Sequence, residues 1–194
     1  MHESIIQYFN SFLKAPLTAD QIDIVKGAFI PKKFRKRQYF LQEGEVCEYM
    51  AFIAKGAMRQ YSVDKKGEEH VIKLFVENWW AGDRESCLKG IPSSYFIDAW
   101  EDTEVLLITK ASMLSLLTRV PPVSECFRTL DGNFGIAAQR RLNAAISLSA
   151  EERLHDLEKT YPEFLQRFPQ HIIASYLGNN RETLSRIRAR NAKK

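Results

Sequence analysis

The last 25 residues, QHIIASYLGNNRETLSRIRARNAKK, restrict the chain more than any other feature, because a two-helix packing pattern and a concentrated positive charge fall in one segment. Small Ala174 lies four residues before Gly178, Ile173 and Leu177 lie five and one before it, and Leu184 and Ile187 lie six and nine after it. These offsets close a helix-turn-helix. Ala174 lets the second helix approach, Gly178 tolerates the positive φ of a sharp turn, and the four aliphatic side chains can share a small core. Asn180 is placed to cap the second helix through its side-chain oxygen, so that helix is predicted to start at Arg181.

With Leu184 and Ile187 turned inward, the outward face carries Arg181, Glu182, Ser185 and Arg186, followed by Arg188 and Arg190. Arginine binds guanine in bidentate fashion, and a carboxylate accepts from cytosine N4. Phosphates repel a carboxylate, so Glu182 on this face argues for base reading rather than simple adhesion. The alternative is a helical hairpin with a solvated basic face; the joint agreement of small residue, glycine, aliphatic offsets, cap and arginines favours a reading unit. Asn179 departs from the pattern, since the residue after the glycine is usually apolar in helix-turn-helix motifs.

The net charge of +4 is modest, but residues 170 to 194 alone hold six Lys or Arg and one acid, Glu182. The other 22 bases and 23 acids leave the rest of the chain at −1. The basic excess therefore resides in the proposed DNA-binding end, as an electrostatic footprint requires. A second basic run, Lys32-Lys33-Phe34-Arg35-Lys36-Arg37, has no reading helix beside it and is expected to be a solvated strand edge, with a nucleic-acid role as the alternative.

The segment Arg181-Glu182-Thr183-Leu184-Ser185-Arg186-Ile187 resembles the recognition helix of the Crp-Fnr (catabolite activator/FNR) family of bacterial transcription regulators. In that family the positions matching Arg181, Glu182 and Arg186 contact base edges. Eight residues follow Arg186 in this sequence, so no β-hairpin wing of the family's kind is expected, and phosphate contacts are expected from Gln170, Arg188, Arg190 and the lysines Lys193 and Lys194.

Upstream, residues 3 to 15 and 18 to 28 carry helical spacing, with Thr18 or Asp20 able to cap the second helix. From Phe34 to Ile108, short β-branched and aromatic runs alternate with turn residues, the pattern of an antiparallel sandwich or roll. Glu43-Gly44, Lys55-Gly56, Lys66-Gly67 and Asp102-Thr103-Glu104-Val105-Leu106 are similar to the β-roll of the cyclic-nucleotide-binding domain, although a generic cupin-like roll would share the glycines. After Pro121-Pro122, the residues Phe127, Leu130, Phe134, Ala137, Ala138, Leu142, Ala145 and Ile146 recur at helical steps. In the resembled family this helix pairs with its copy; packing back on the roll is the alternative. Ser149-Ala150-Glu151-Glu152 reads as a capping box, which places a hinge near Leu148.

The family's ligand cassette is where the resemblance fails. Cyclic-nucleotide binders of the family carry a Gly-Glu pair for the ribose and, further on, an Arg followed by Ser or Thr for the cyclic phosphate. The matching residues here are Gly82-Asp83 and Ser93-Ser94. A charge-assisted contact contributes roughly 1.5 to 3 kcal/mol against about 1 for a neutral hydrogen bond, so loss of the arginine argues against a cyclic nucleotide. Arg84 could substitute from the same loop, but its direction is not legible in sequence. Trp79, Trp80, Tyr95, Phe96 and Trp100 could line a site for another small organic effector, or simply fill the core.

Enzymatic activity is not expected: His2, His70, His155 and His171 are isolated, and no nucleophile motif, Walker loop or paired C-x-x-C appears. Cys47, Cys87 and Cys126 are odd in number and widely spaced, which suits reduced thiols in a cytoplasm. No apolar run is long enough for a membrane span, and no charged-then-apolar leader precedes the first helix.

The expectation is an α+β chain with N-terminal helices and an antiparallel β-roll over 1–122, a dimerisation helix over 123–148 and a helix-turn-helix domain over 149–194. Its expected partners are double-stranded DNA with a near-palindromic operator, a second copy of itself, RNA polymerase and a small-molecule effector other than a cyclic nucleotide, with no metal and no other cofactor. Two further readings stay open: a ligand-sensing roll that acts through protein contacts, and a cyclic-nucleotide-responsive regulator.

Overall fold

The computed structural model of the protein describes residues 1–191. The chain begins with α1 (His2–Asn10) and α2 (Ala19–Ala28), then β1 (Ile30–Phe34), β2 (Tyr39–Leu41), β3 (Tyr49–Lys55), β4 (Met58–Val63), β5 (Glu69–Phe75) and β6 (Trp80–Ala81). Helix α3 (Arg84–Lys89) leads to β7 (Phe96–Ala99) and β8 (Thr103–Thr109), after which α4 (Lys110–Arg119) and α5 (Pro121–Ser147) follow. Four helices close the chain: α6 (Ala150–Thr160), α7 (Pro162–Arg167), α8 (Gln170–Tyr176) and α9 (Arg181–Asn191). These elements form two compact units, one of residues 1–60 and 75–132, the other of residues 61–74 and 133–194. Among the described residues no helix is long and apolar enough to cross a membrane.

The strands build two four-stranded sheets, ordered β1-β8-β3-β6 and β2-β7-β4-β5, the roll expected from the turn spacing. Strand β8 pairs antiparallel with both β1 and β3, so it lies in the middle of its sheet with both faces covered. Its alternate residues therefore serve two cores. Val105 and Leu107 join Phe34, Leu41, Ile53, Met58, Phe75 and Ile97 in one cluster built from both sheets. Leu106 and Ile108 join Phe52 and the helical residues Ile5, Phe9, Val25, Leu116 and Val123 in the other.

Local chemistry sets the helix ends. Thr18 wins over Asp20 as the cap of α2, in a reciprocal box with Gln21. Helix α1 stops at Asn10, earlier than its apolar spacing suggests, and the Asn10 side chain accepts from the Leu17 amide at 2.9 Å. Pro121 and Pro122 start α5 rather than merely preceding it, since the first helical turn needs no intrahelical N–H. Ser149 and Glu152 form the expected capping box of α6, leaving Leu148 as the residue between the end of α5 and that cap.

In the unit of residues 61–74 and 133–194, the β4–β5 hairpin is joined to α8 by side-chain bonds. Ser175 Oγ accepts from the Val71 amide at 2.9 Å and donates to the Glu69 carbonyl at 3.1 Å, completing two backbone groups of β5 at the end of its sheet. Arg141 donates to the carbonyls of Ile72 and Tyr176 and lies 4.0 Å from the Tyr176 ring centroid. Along α5, Phe134, Ile136, Leu142 and Ile146 remain exposed, Ile146 at 77%.

Candidate nucleic-acid interface and effector cassette

The turn between α8 and α9 is a Schellman motif. Gly178 has φ +67°, its amide donates to the Ser175 carbonyl at 2.9 Å, and the Asn179 amide donates to the Ala174 carbonyl at 2.9 Å. Asn180 Oδ1 then accepts from the Thr183 amide at 2.8 Å, the cap that starts α9 at Arg181. Leu184, Ile173, Ala174 and Ile187 are buried as their offsets require. Leu177 is only half-buried, and Ile172, absent from the sequence pattern, is buried in its place.

Arg181, Glu182, Ser185 and Arg186 are all exposed on one side of α9. Glu182 also stands in the first turn, where a carboxylate is favoured by the positive end of the helix dipole, so base reading is not the sole physical reason for it. The remaining expected phosphate contacts divide. Gln170 opens α8 and is half-buried, as is Arg188, whereas Arg190 is engaged within the protein by Glu151. Lys193 and Lys194 lie outside the described residues.

Asn179 is half-buried and bonded. Its Oδ1 accepts from Arg153 Nη2 at 3.2 Å, and its Nδ2 donates to the Leu177 carbonyl at 3.3 Å. Arg153 Nη1 also donates to the carbonyls of Ala145 at 3.1 Å and Leu148 at 3.3 Å. Nothing in the one-dimensional pattern connects these residues, which are 26 apart at the turn.

The cassette residues come together in a closed arrangement. Asp83 caps α3, its Oδ1 accepting from the amides of Glu85 at 3.1 Å and Ser86 at 3.3 Å, while its Oδ2 accepts from Ser93 Oγ at 2.8 Å. Asp83 and Ser93 are both buried, as is Gly82, but Ser94 is exposed. Arg84 is exposed and forms an ion pair with Asp131 at 2.9 Å. The buried arginine of the roll, Arg59, is held by Asp98 through Nε–Oδ1 at 2.9 Å and Nη2–Oδ2 at 3.0 Å.

Of the aromatic residues expected beside the cassette, Tyr95 stays next to it, its amide donating to Ser93 Oγ at 3.1 Å, and the others disperse. Trp80 packs with Phe29, Phe52 and Phe127, Trp79 against the inter-sheet cluster, Phe96 with Tyr39, and Trp100 with Arg59. A cavity of about 700 Å³ opens beside β1 and β2, lined by Phe34, Tyr39, Leu41, Glu45, Cys47 and Glu48 among others. Burial raises the Cys47 and Cys126 thiols to about 11, which keeps both protonated and unreactive near neutrality. His70, isolated in sequence, meets Asp64 and Glu68 at the β4–β5 turn with ligand atoms within 4.8 Å of one another. Asp64 already accepts from the Lys66 and Glu68 amides there and contacts His70 at 3.1 Å.

Comparison with known proteins agrees with this architecture. Residues 31–120, from β1 through α4, match the cyclic nucleotide-binding domain. Over 182 residues the chain is 23% identical to the cyclic AMP receptor protein of Thermus thermophilus, covering 88% of this chain and 81% of that protein. The structure of FixK2 from Bradyrhizobium japonicum superposes with a TM-score of 0.69 at 19% identity over 85% of each chain. A putative transcriptional regulator of the Crp/Fnr family from Eubacterium rectale gives 0.66 at 17% identity, over 91% of this chain and 85% of the other. Residues 31–120 thus match the cyclic nucleotide-binding domain, within a chain that has the fold of the Crp/Fnr regulators.

Proposed function

We propose that the protein is a cytoplasmic, homodimeric transcription regulator without enzymatic activity, which reads a near-palindromic operator by placing α9 in the major groove. The observation that carries this reading is the exposed face of Arg181, Glu182, Ser185 and Arg186, held on a capped helix by a Schellman turn and a buried aliphatic seam. Arg181 and Arg186 have no ion-pair partner among the described residues, so both guanidinium groups are available for guanine edges. Two copies pair through the exposed apolar residues of α5, which sets two α9 helices about one duplex turn, roughly 34 Å, apart. RNA polymerase is a further partner in this proposal if the regulator activates transcription.

Cyclic AMP is not the effector in this proposal. A cyclic phosphate needs a cation in the cassette, yet Asp83 is closed on Ser93, Arg84 is paired with Asp131 and Arg59 with Asp98. The residues present do not fit the nucleotide that gives the Thermus relative its name. Selection of bound duplexes from a randomised pool, followed by salt titration, tests the function. A selected near-palindrome bound far more tightly than random DNA is expected, with affinity unchanged by cyclic AMP. Binding without sequence preference, or micromolar cyclic AMP binding that tightens operator affinity, would overturn the respective half of the proposal.

A further inference from the structure

We propose that Arg153 is a positioning residue that locks the orientation of α9 to the end of α5 and thereby sets how strictly the protein measures the spacing of its operator half-sites. The inference rests on the DNA-reading function proposed above. One planar guanidinium joins two backbone carbonyls and a side-chain oxygen. Its Nη1 donates to the carbonyls of Ala145 and Leu148, at the C-terminal end of α5, and its Nη2 donates to Asn179 Oδ1 in the turn before α9. The carbonyl end of a helix carries partial negative charge, so a cation is favoured there over a neutral donor. Lysine has the charge but not the fork that reaches two directions at once.

Asn179 completes the link. It occupies the turn position where an apolar contact is the common solution, and it is half-buried. Besides meeting Arg153, its side chain returns to the Leu177 carbonyl at 3.3 Å, and its backbone amide closes the Schellman turn on Ala174. The turn therefore cannot rotate against the end of α5 without breaking charge-assisted bonds. Leu148, between Ser147 and the cap Ser149, would otherwise leave that joint free to swivel.

The arrangement leaves one donor of the guanidinium unused. Arg153 Nε is buried without a hydrogen-bond partner, and a buried unpaired donor opposes folding. Placing a guanidinium here at that cost is understandable if its fork defines an angle. When α5 pairs with its copy, that angle becomes the separation of the two reading helices.

The test uses the full chain and its selected operator, with base pairs inserted or removed between the half-sites. One base pair moves a half-site by about 3.4 Å along the duplex and turns it, so the wild-type protein is expected to lose about tenfold in affinity per step. Arg153→Ala should flatten that profile to within about threefold, and Arg153→Lys should flatten it as well because the fork is lost. Asn179→Leu supplies the apolar residue common at this turn, so it keeps the fold if Arg153→Ala does not. It should flatten the profile equally, and the double variant should add nothing further. Variants that keep the wild-type spacing profile would overturn the role. A wild-type protein with no sequence-selective binding would instead refute the DNA-reading function, and this role with it.

Discussion

Replacing Asn180 separates what the α9 cap does for the helix from what it does for DNA. Asn180 is exposed, and its Oδ1 accepts from the Thr183 amide at 2.8 Å, satisfying one of the orphan donors of the first turn. Asn180→Ala removes that bond at a cost of about 1 kcal/mol, within a range of roughly 0.5 to 2. Leu184 and Ile187 anchor the middle of the helix, so the loss falls on the turn that carries Arg181 and Glu182. If that turn must be re-formed on binding, about 1 kcal/mol corresponds to a roughly fivefold weaker operator complex. Asn180→Ser restores the cap and should recover most of both quantities. Asn180→Asp is the decisive variant: its charge suits the helix dipole and should match or raise thermal stability, yet it should weaken DNA binding because phosphates surround the helix N-terminus. Thermal melts and fluorescence anisotropy on a labelled operator measure the two effects. An Asp variant that gains stability and binds DNA as well as Asn180 would refute the reasoning.

Other consequences follow from buried groups and exposed faces. Asp98→Ala removes the bidentate carboxylate from the Arg59 guanidinium, whose side chain is only 9% exposed, and should cost about 3 to 5 kcal/mol in chemical denaturation, whereas Arg59→Met with Asp98→Leu should be close to neutral. Burial raises the Cys47 and Cys126 thiols from 9.0 to about 11, so the folded state favours the neutral form. That contribution is fully present below pH 9 and is lost as pH rises through about 11; a Cys47→Ala, Cys126→Ala variant should lack this part of the alkaline loss in denaturation midpoints. Leu142→Glu with Ile146→Glu places charge on the exposed α5 face and should abolish the proposed dimer in sedimentation, with little change in the melt of the monomer.

Local rules made much of this protein legible. The offsets around Gly178, the Asn180 cap and the Ser149–Glu152 box are short-range, and each involves residues whose separation a helix or turn dictates. The apolar run Val105-Leu106-Leu107-Ile108 of β8 is buried on both faces, but nothing in that run says which core each face would meet. What stayed hidden depends on distant partners. Arg190 looked free because Glu151 lies 39 residues away. Ser175 binds the backbone of β5 more than 100 residues upstream, and Arg153 finds Asn179 across the reader. The substitutions at 83 and 93 were visible as departures from the family's cassette, but their direct bond was not: two residues ten apart became partners because α3 and the following loop turn them toward each other.

The central claim is that α9 reads bases, and Arg186 tests it most directly. Arg186→Ala should lower affinity for the selected operator by roughly 1 to 3 kcal/mol and relax preference at one base position, while binding to random duplex changes much less. An equal loss on operator and random DNA, with base preference intact, would contradict the account and reduce Arg186 to a phosphate contact.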